Sequence, residues 1–330
     1  MLKLSDFDYN LPKELIAQYP LKKRDAAKLL VLNRKKQTIE HRIFKDLTDY
    51  LNKNDLVVLN DTKVLRCRLY GKRLTGGKVE ILLLNRKRDL TFNAMISPAR
   101  VKTGDKIVFN GGETFGVISS KNEITFNVKD MGTIYKLGTM PLPPYIKRDS
   151  EDLDNVYYQT VYANEEGAIA SPTAGLHFTK ELIKKMKTNG INLAHVTLHV
   201  GIGTFKPVKT DDIIQHKMES EYFKIPQDSI KPIENARMSN YRIIAVGTTS
   251  LRALETYANG VEEGYTDLFI YPGYKFKLAN CILTNFHLPK TTLFMLVCAF
   301  AGGSLVKKAY QEAIDNKYRF YSYGDAMLII

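Results

Sequence analysis

The sequence predicts a mixed α/β fold: a large α/β domain (residues 1–62 and 150–330) interrupted by a small antiparallel β-barrel domain (residues 63–149). Three observations predict it. Runs such as DLVVLN (55–60), YRIIAVG (241–247) and CILTN (281–285) read as strands buried on both faces, because their apolar residues run together instead of alternating. After residue 150, helical patterns separate such runs, as α/β folds require. Between 63 and 149, six or so short β-like runs follow one another across turn residues with no convincing helix, the texture of a closed or nearly closed barrel.

Taken in order, Asn10 caps a short helix opening at Pro12, a favoured first-turn position. Residues 28–33 and 38–43 form a hairpin across 34–37, a helix covers about 45–52, and a buried strand covers 55–60. The barrel runs are KVLRCRLYG, KVEILLLN, LTFNAMI, DKIVF, TFGVIS and EITFNV, and the prolines of MPLPPYI (140–146) make a stiff extended exit. A helix over 179–188 has Thr179 as N-cap and Gly190 as its stop. Then come a strand at 191–200, a helix at 227–239, a strand at 241–247 and a helix at 250–258. Strands at 267–271 and 281–285, helices at 291–301 and 304–316, and the terminal run AMLII complete the pattern.

Composition narrows the class. The chain has 330 residues, 25% charged and 44% hydrophobic, which excludes disorder and collagen-like repetition and fits two or three domains. Three scattered cysteines (Cys67, Cys281, Cys298) make neither a disulfide framework nor a cysteine zinc site, as expected in a reducing cytoplasm. The start, MLKLSDFDYNLPKE, has no apolar core of a secretory signal, and the apolar run at 293–301 is about half a membrane span. The net charge of +13 is unevenly placed. Residues 1–150 carry 29 basic and 16 acidic side chains, whereas residues 151–330 carry 19 of each. Within 63–149 the count is 17 against 7, so most of the surplus sits in the barrel. Such a surplus is either a solubility device or an electrostatic footprint for a polyanion such as nucleic acid.

The chemistry is expected where apolar strands run into polar loops: VVLN into Asn60-Asp61-Thr62, TLHV into 201–205, IIAVG into Thr248-Thr249-Ser250, and CIL into 284–289. If these strands are parallel, their carboxyl ends share the rim where open α/β sheets bind ligands. The Gly201-Ile202-Gly203 pattern does not open a helix, so a nicotinamide cofactor is not expected. Thr248-Thr249-Ser250 opens a helix, whose free N–H groups suit a carboxylate. Arg252 follows in the first turn, where a cation opposes the helix dipole unless an anion faces it. SPTAGLHF (171–178) offers Ser171, Thr173 and His177 just before a helix, and His177 suits acid–base chemistry or simple packing. His195 and His199 share a strand face, but no third ligand stands at recognisable spacing, so no metal site is expected. Glu165-Glu166 and Glu219/Glu221 read as solvated acids, one of which could neutralise a cationic substrate.

These stretches also occur together, in order, in a known family. FDYNLP…LIAQYP, LLVLNR, DLVVLNDTKV, GGKVEILLL, PLPPYI, YQTVYA, SPTAGLHFT, VTLHVGIGTFKPV, AVGTTSLRALE, LFIYPGYKF, LTNFHLPKTTLFMLV and YRFYSYGDAMLI span essentially the whole chain. The chain resembles the S-adenosylmethionine:tRNA ribosyltransferase-isomerases of queuosine biosynthesis. The resemblance implies an α/β domain with an inserted β-barrel. It also implies transfer and isomerisation of the ribosyl part of S-adenosylmethionine onto an aminomethyl-7-deazaguanine at the tRNA wobble position. The product is epoxyqueuosine, and adenine and methionine leave. S-adenosylmethionine is consumed as a substrate, and no further cofactor or metal is implied. Two departures stand out: Lys63 replaces an arginine and loses its bidentate fork, and Arg66-Cys67 replace Pro-Ala.

That reaction needs a base beside the sulfonium, a neutral attacking amine and a proton donor for adenine. His177 is the leading acid–base candidate, with Asp61 and His287 as secondary ones. Thr173, Thr204, Thr248, Thr249 and Asn285 are expected to hold the ribose and methionine parts, and Arg252 the methionine carboxylate. The wobble base must flip out to react. Lys63, Lys72, Arg73, Arg86, Lys87, Arg88, Arg100 and Lys102 are expected to grip the anticodon arm of tRNAs with GUN anticodons. A monomeric, cytoplasmic enzyme with no membrane contact is expected. Two rivals remain. A conventional RNA methyltransferase would release S-adenosylhomocysteine, but its Gly-rich loop is missing. A non-catalytic RNA-binding protein would explain the charge but not the polar loops.

Overall fold

Hydrophobic runs of four or five residues with both faces covered belong at the centre of a sheet, and that is where the chain puts them. In the computed structural model, which describes residues 2–201, 203 and 208–330, the chain opens with the hairpin β1 (Lys28–Asn33) and β2 (Thr38–Ile43). Next come β3 (Leu56–Asn60) and the short β4 (Thr62–Val64). Six strands follow: β5 (Arg68–Arg73), β6 (Lys78–Arg88), β7 (Thr91–Ser97), β8 (Lys106–Phe109), β9 (Thr114–Ser120) and β10 (Glu123–Phe126). Two short helices, α1 (Met131–Leu137) and α2 (Asp152–Tyr157), lead to β11 (Glu165–Ala168). Beyond it lie α3 (Lys180–Thr188), β12 (Asn192–Leu198), β13 (Glu221–Lys224), α4 (Gln227–Met238), β14 (Ile243–Val246) and α5 (Gly247–Tyr257). The chain ends with β15 (Glu263–Thr266), β16 (Cys281–Asn285), α6 (Thr292–Ala301), α7 (Gly303–Asp315) and β17 (Ala326–Ile329).

Nine of these strands form one sheet in the order β15-β13-β12-β3-β14-β16-β17-β1-β2. The middle four, β12, β3, β14 and β16, are mutually parallel. Their continuous apolar runs make physical sense in this sheet. Leu56, Val58, Ile243, Ala245 and Ile282 face one core with α5, α6 and α7. Val57, Leu59, Ile244, Val246, Cys281 and Leu283 face the other, with Phe178, Leu182 and Met186. Each strand feeds both layers, so a polar residue at either parity is buried and needs a partner, as Asn60 finds in Leu198.

The second sheet closes on itself as an antiparallel barrel in the order β10-β7-β6-β5-β8-β9. Here the pattern does alternate: Val79, Ile81 and Leu83 point inward with Phe92, Ile107, Phe109, Ile118 and Ile124. The barrel joins the body where its first and last segments run side by side. Thr139 N donates to Arg68 O at 2.8 Å, and Arg66 Nε donates to Gly138 O at 2.8 Å. Gly138 has no room for a side chain, because a Cβ there would lie 1.9 Å from Arg66 O.

Several elements differ from the sequence expectation. The helices at 12 and 45–52 are 3-10 turns, Lys13–Leu15 and Phe44–Tyr50. The segment 63–149 does contain a helix: α1, capped by the Asp130 side chain accepting from Thr133 N at 2.9 Å, packs Ile134 onto the barrel core. Residues 267–271 are not a strand; the neighbouring strand is 263–266. The reason is that buried side chains satisfy this backbone. Arg252 Nε donates to Leu268 O at 3.0 Å and its Nη2 to Thr266 O at 3.3 Å; further along, the Glu255 carboxylate accepts from Lys277, Leu278 and Ala279 N at 2.8–3.1 Å. α5 starts at Gly247, three residues earlier than expected, where φ is +90°.

Gly138→Ala is expected to destabilise the fold by about 1–3 kcal/mol, because a methyl group cannot share space with a main-chain carbonyl. Urea denaturation measures this. Gly76→Ala, in open space on the barrel surface, separates backbone strain from crowding, since Gly76 has a φ of +86° but no atom within 4 Å of its Cβ position.

Candidate active site

Four parallel strands ending together leave their loops on one rim, and an open cleft lies there. It is lined by Thr173 and its neighbours from the 171–174 loop, and by Val200 beyond β12. Gly247, Thr248 and Thr249 come from the start of α5, and Thr284, Asn285 and His287 from the end of β16. Leu293, Tyr145, Tyr321 and Ser322 complete the lining. Five expected residues thus come together: Thr173, Thr248, Thr249, Asn285 and His287. Thr204 lies outside the described residues.

Gly247, Thr248 and Thr249 at the start of α5 line this space, the Thr249 hydroxyl is buried with no hydrogen-bond partner, and the first N–H groups of a helix have no partner within it. Asn285 is split between two tasks. Its Nδ2 donates to Tyr321 O at 2.9 Å, while its other end lies beside His177 in the neighbouring recess. Tyr321 has a φ of +72°, a conformation rare for a bulky residue. It is held by Asn285 and by its own N–H donating to Phe286 O at 3.0 Å. The constraint sets the Tyr321 ring edge-on against Tyr145, with centroids 3.8 Å apart. The Tyr145 hydroxyl pairs with Ser322 Oγ, and burial pushes both phenols upward, so they stay protonated. Among the described residues lining the cleft there is no carboxylate.

His287 is buried, its Nε2 hydrogen-bonded with Thr284 Oγ1 at 2.8 Å, and burial pushes it down to about 3. It is therefore uncharged at neutral pH. Three expected residues lie elsewhere. His177 is not in this cleft: its ring stacks near Phe44 at 4.9 Å and faces a neighbouring recess. Burial, then the charges of Arg319 and Arg24, push it down to about 3. Asp61 does not line the cleft; it accepts from Thr197 Oγ1 at 2.7 Å, and burial raises its pKa. Arg252 is 3% exposed and spends its guanidinium on Glu221, Leu268 O and Thr266 O. The anion facing Arg252 is thus internal: Glu221, expected in solvent, is buried and also accepts from Gly201 N at 2.8 Å. His199, hydrogen-bonded with Thr62 Oγ1 at 2.7 Å, packs over Gly167. Among the described residues no three His, Cys, Asp or Glu side chains cluster as metal ligands.

The expected RNA-facing cations divide between the two ends of the barrel. Arg86, Lys87 and Arg88 sit at the β6–β7 turn, on the side of α1, where Arg86 and Glu166 both act on Tyr135. Lys72, Arg73, Arg100 and Lys102 lie at the far end, where Arg73 reaches Asp105 at 3.7 Å and Lys102 N donates to the same carboxylate at 3.0 Å. Lys87 is paired with Glu123, and Lys63 with Glu166 at 2.9 Å. Lys72, Arg88, Arg100 and Lys102 are exposed, with no ion pair among the described residues. The sequence reading missed Tyr145, Tyr321 and Ser322 as lining residues. The tyrosine-rich YRFYSYGD stretch was a signal, but a left-handed tyrosine is invisible in a sequence.

A mixed α/β body with an inserted barrel and a polar, tyrosine-walled cleft at its strand ends defines an enzyme that handles a small polar molecule. Comparison with known proteins makes this specific. Residues 4–329 match the family described as Queuosine biosynthesis protein. The S-adenosylmethionine:tRNA ribosyltransferase-isomerase of Sulfurihydrogenibium sp. (strain YO3AOP1) is 52% identical over 336 residues, covering all of both chains. That of Aquifex aeolicus (strain VF5) is 48% identical, again over the full length of both. The crystal structure of an S-adenosylmethionine tRNA ribosyltransferase from Thermotoga maritima is similar at a TM-score of 0.58 and 38% identity, covering 98% of this chain and all of the other. The chain belongs to the queuosine biosynthesis protein family and is a transferase of that pathway. No single helix among the described residues is long and apolar enough to cross a membrane.

The two buried imidazoles make the fold acid-sensitive. From the ordinary value of 6.5 down to about 3, the unfolded chain takes up protons that the folded His177 and His287 refuse. Stability therefore falls as pH falls, by roughly 1.4 kcal/mol per pH unit for each group. Urea midpoints at pH 7, 6 and 5 are expected to drop progressively, and His287→Asn to flatten that slope.

Proposed function

We propose that this transferase moves the ribosyl part of S-adenosylmethionine onto 7-aminomethyl-7-deazaguanine at the wobble position of tRNA and isomerises it. Epoxyqueuosine forms, and adenine and methionine are released. The full-length identity of 52% to a protein named S-adenosylmethionine:tRNA ribosyltransferase-isomerase carries this reading. S-adenosylmethionine is a consumed substrate, and the reading calls for no further cofactor or metal. The enzyme works as a monomer in the cytoplasm on tRNAs with GUN anticodons. Residues 63–149 act as an inserted domain that grips the anticodon arm, and residues 1–62 and 150–330 as the catalytic domain.

Within the cleft, the Thr248 and Thr249 end of α5 takes the methionine carboxylate through its open N–H groups and the unpartnered Thr249 hydroxyl. Thr173 and Asn285 hold ribose hydroxyls. Without a cleft carboxylate, the sulfonium rests against the faces of Tyr145 and Tyr321, whose rings attract a cation in a dry site. The protonated Tyr145–Ser322 pair is placed to give a proton to departing adenine. His287, uncharged, is the acid–base group remaining in the cleft, and Arg252, Asp61 and His177 act as positioning residues around it.

Incubation with S-adenosylmethionine and tRNA carrying the aminomethyl-deazaguanine is expected to release free adenine, read by mass spectrometry. Release of S-adenosylhomocysteine instead marks a methyltransferase and overturns the reading. Tyr145→Leu is expected to raise KM for S-adenosylmethionine about tenfold, the loss of ~1–2 kcal/mol of cation–π attraction. Charge reversal of Arg86-Lys87-Arg88 is compared with that of Arg100 and Lys102. The end that grips RNA loses affinity and flattens the salt dependence by about 0.7–0.9 per contact.

A further inference from the structure

A second recess lies against the cleft, and the two share Ser322 as a wall. Arg24, His177 and Arg319 line it, with Tyr157 and Tyr323. Two half-buried guanidinium groups here lack a full set of protein partners. Arg24 Nη1 donates to Leu176 O at 2.9 Å and Nη2 to Val156 O at 2.6 Å, while its plane lies over Tyr157 at 5.2 Å. Arg319 Nη1 donates to Tyr19 O at 3.2 Å. The nearest carboxylate, Asp325, stands 3.8 Å from Arg319 Nε and is already held by Lys28 N at 2.9 Å and Arg319 N at 2.7 Å. A guanidinium has five donors, so both keep N–H groups for a ligand. Burial lowers the pKa of each arginine, offset only in part, by Asp325 for Arg319 and by the neighbouring phenols for Arg24. His177, 5% exposed and uncharged, lines the recess between them, held by the Asn285 side chain and the Arg24 backbone. Two guanidinium groups with open N–H donors on one recess are an arrangement suited to an acceptor-rich group.

We infer that the Arg24–Arg319–His177 recess is an oxyanion site that binds one anionic group of the substrates, alongside the reacting cleft. The chemistry suits a planar carboxylate or a phosphodiester: two forked cations beside an uncharged imidazole. Within the proposed function, on which this inference rests, the RNA backbone beside the flipped nucleotide carries such a group; the methionine carboxylate, held at the start of α5 in that reading, is the competing source. Either source puts the anion one wall away from the cleft and so fixes how deep the reacting parts sit. Arg24 and Arg319 would then bind substrate without taking part in bond making.

Arg319→Gln and Arg24→Gln, with Arg319→Lys as a milder variant that keeps the charge, test this. Binding of inorganic phosphate, at constant ionic strength, is expected to raise the melting temperature of the unaltered protein and not that of Arg319→Gln. In steady state, KM for one substrate is expected to rise about tenfold, with kcat little changed. If that substrate is S-adenosylmethionine, and the variant no longer prefers it over its decarboxylated analogue, the anion is the carboxylate. If it is tRNA, with a flatter salt dependence, the anion is a phosphate. A folded Arg319→Gln protein with both KM values within twofold of the unaltered enzyme and an undiminished phosphate response overturns the inference. The unaltered enzyme's adenine release is scored separately: its absence sinks the proposed function, whereas its presence with unmoved KM values sinks only the oxyanion site.

Discussion

The site depends on one constraint: four adjacent strands that run the same way. Because β12, β3, β14 and β16 are parallel, every loop that leaves them leaves on the same rim. Parallel strands need covering on both faces, and the helices that cover them start or end at that rim. The open end of α5 and the polar tail of β16 are therefore neighbours by topology. The barrel hangs off the same layer, because β3 runs straight through Asp61 into β4 and on to β5.

Beneath the rim lies a layer of buried polar groups that shapes the cleft without facing it. Arg252 and Glu221 join α5 to β13, and Arg252 also holds the backbone beyond β15. Removing either partner would leave an uncompensated buried charge, so the pair acts as a lock on geometry more than as a source of stability. Glu255 does the same one turn later for the backbone at 277–279. Asn285 fixes the left-handed Tyr321, and Tyr321 fixes the wall of the cleft. The positive surplus in the barrel is likewise partly spent internally, on Glu80, Asp105 and Glu123. What remains for a polyanion is a smaller, two-ended set of exposed cations.

Legibility in the sequence followed a physical rule. Elements set by local patterning were readable: the hairpin at 28–43 matches β1 and β2, and the runs at 55–60 and 281–285 lie on β3 and β16. The Thr179 cap and Gly190 stop also stand, with Thr179 Oγ1 accepting from Leu182 N at 3.1 Å. Misreadings occurred where a distant side chain satisfied the backbone. Residues 267–271 have strand composition, but Arg252 takes the Leu268 carbonyl. The same holds for the site. Thr173, Thr248, Thr249, Asn285 and His287 follow strands or sit in a dense polar loop, so a local rule finds them. Arg252, Asp61 and His177 satisfy the same local rule, yet each turns toward a partner far along the chain or a different recess.

The sequence by itself determined the layer plan, the inserted barrel, the uneven charge and the family, because these follow from periodicity, turn residues and ordered motifs within short windows. Only the tertiary structure decided which polar residues face the cleft and which are consumed inside. A side chain's partner is set by the register of strands separated by more than a hundred residues. Asp61 meets Thr197, and Asn60 meets Leu198, across such a gap. No local pattern carries that register, and burial turns a one-residue difference in it into the difference between a ligand and a lock.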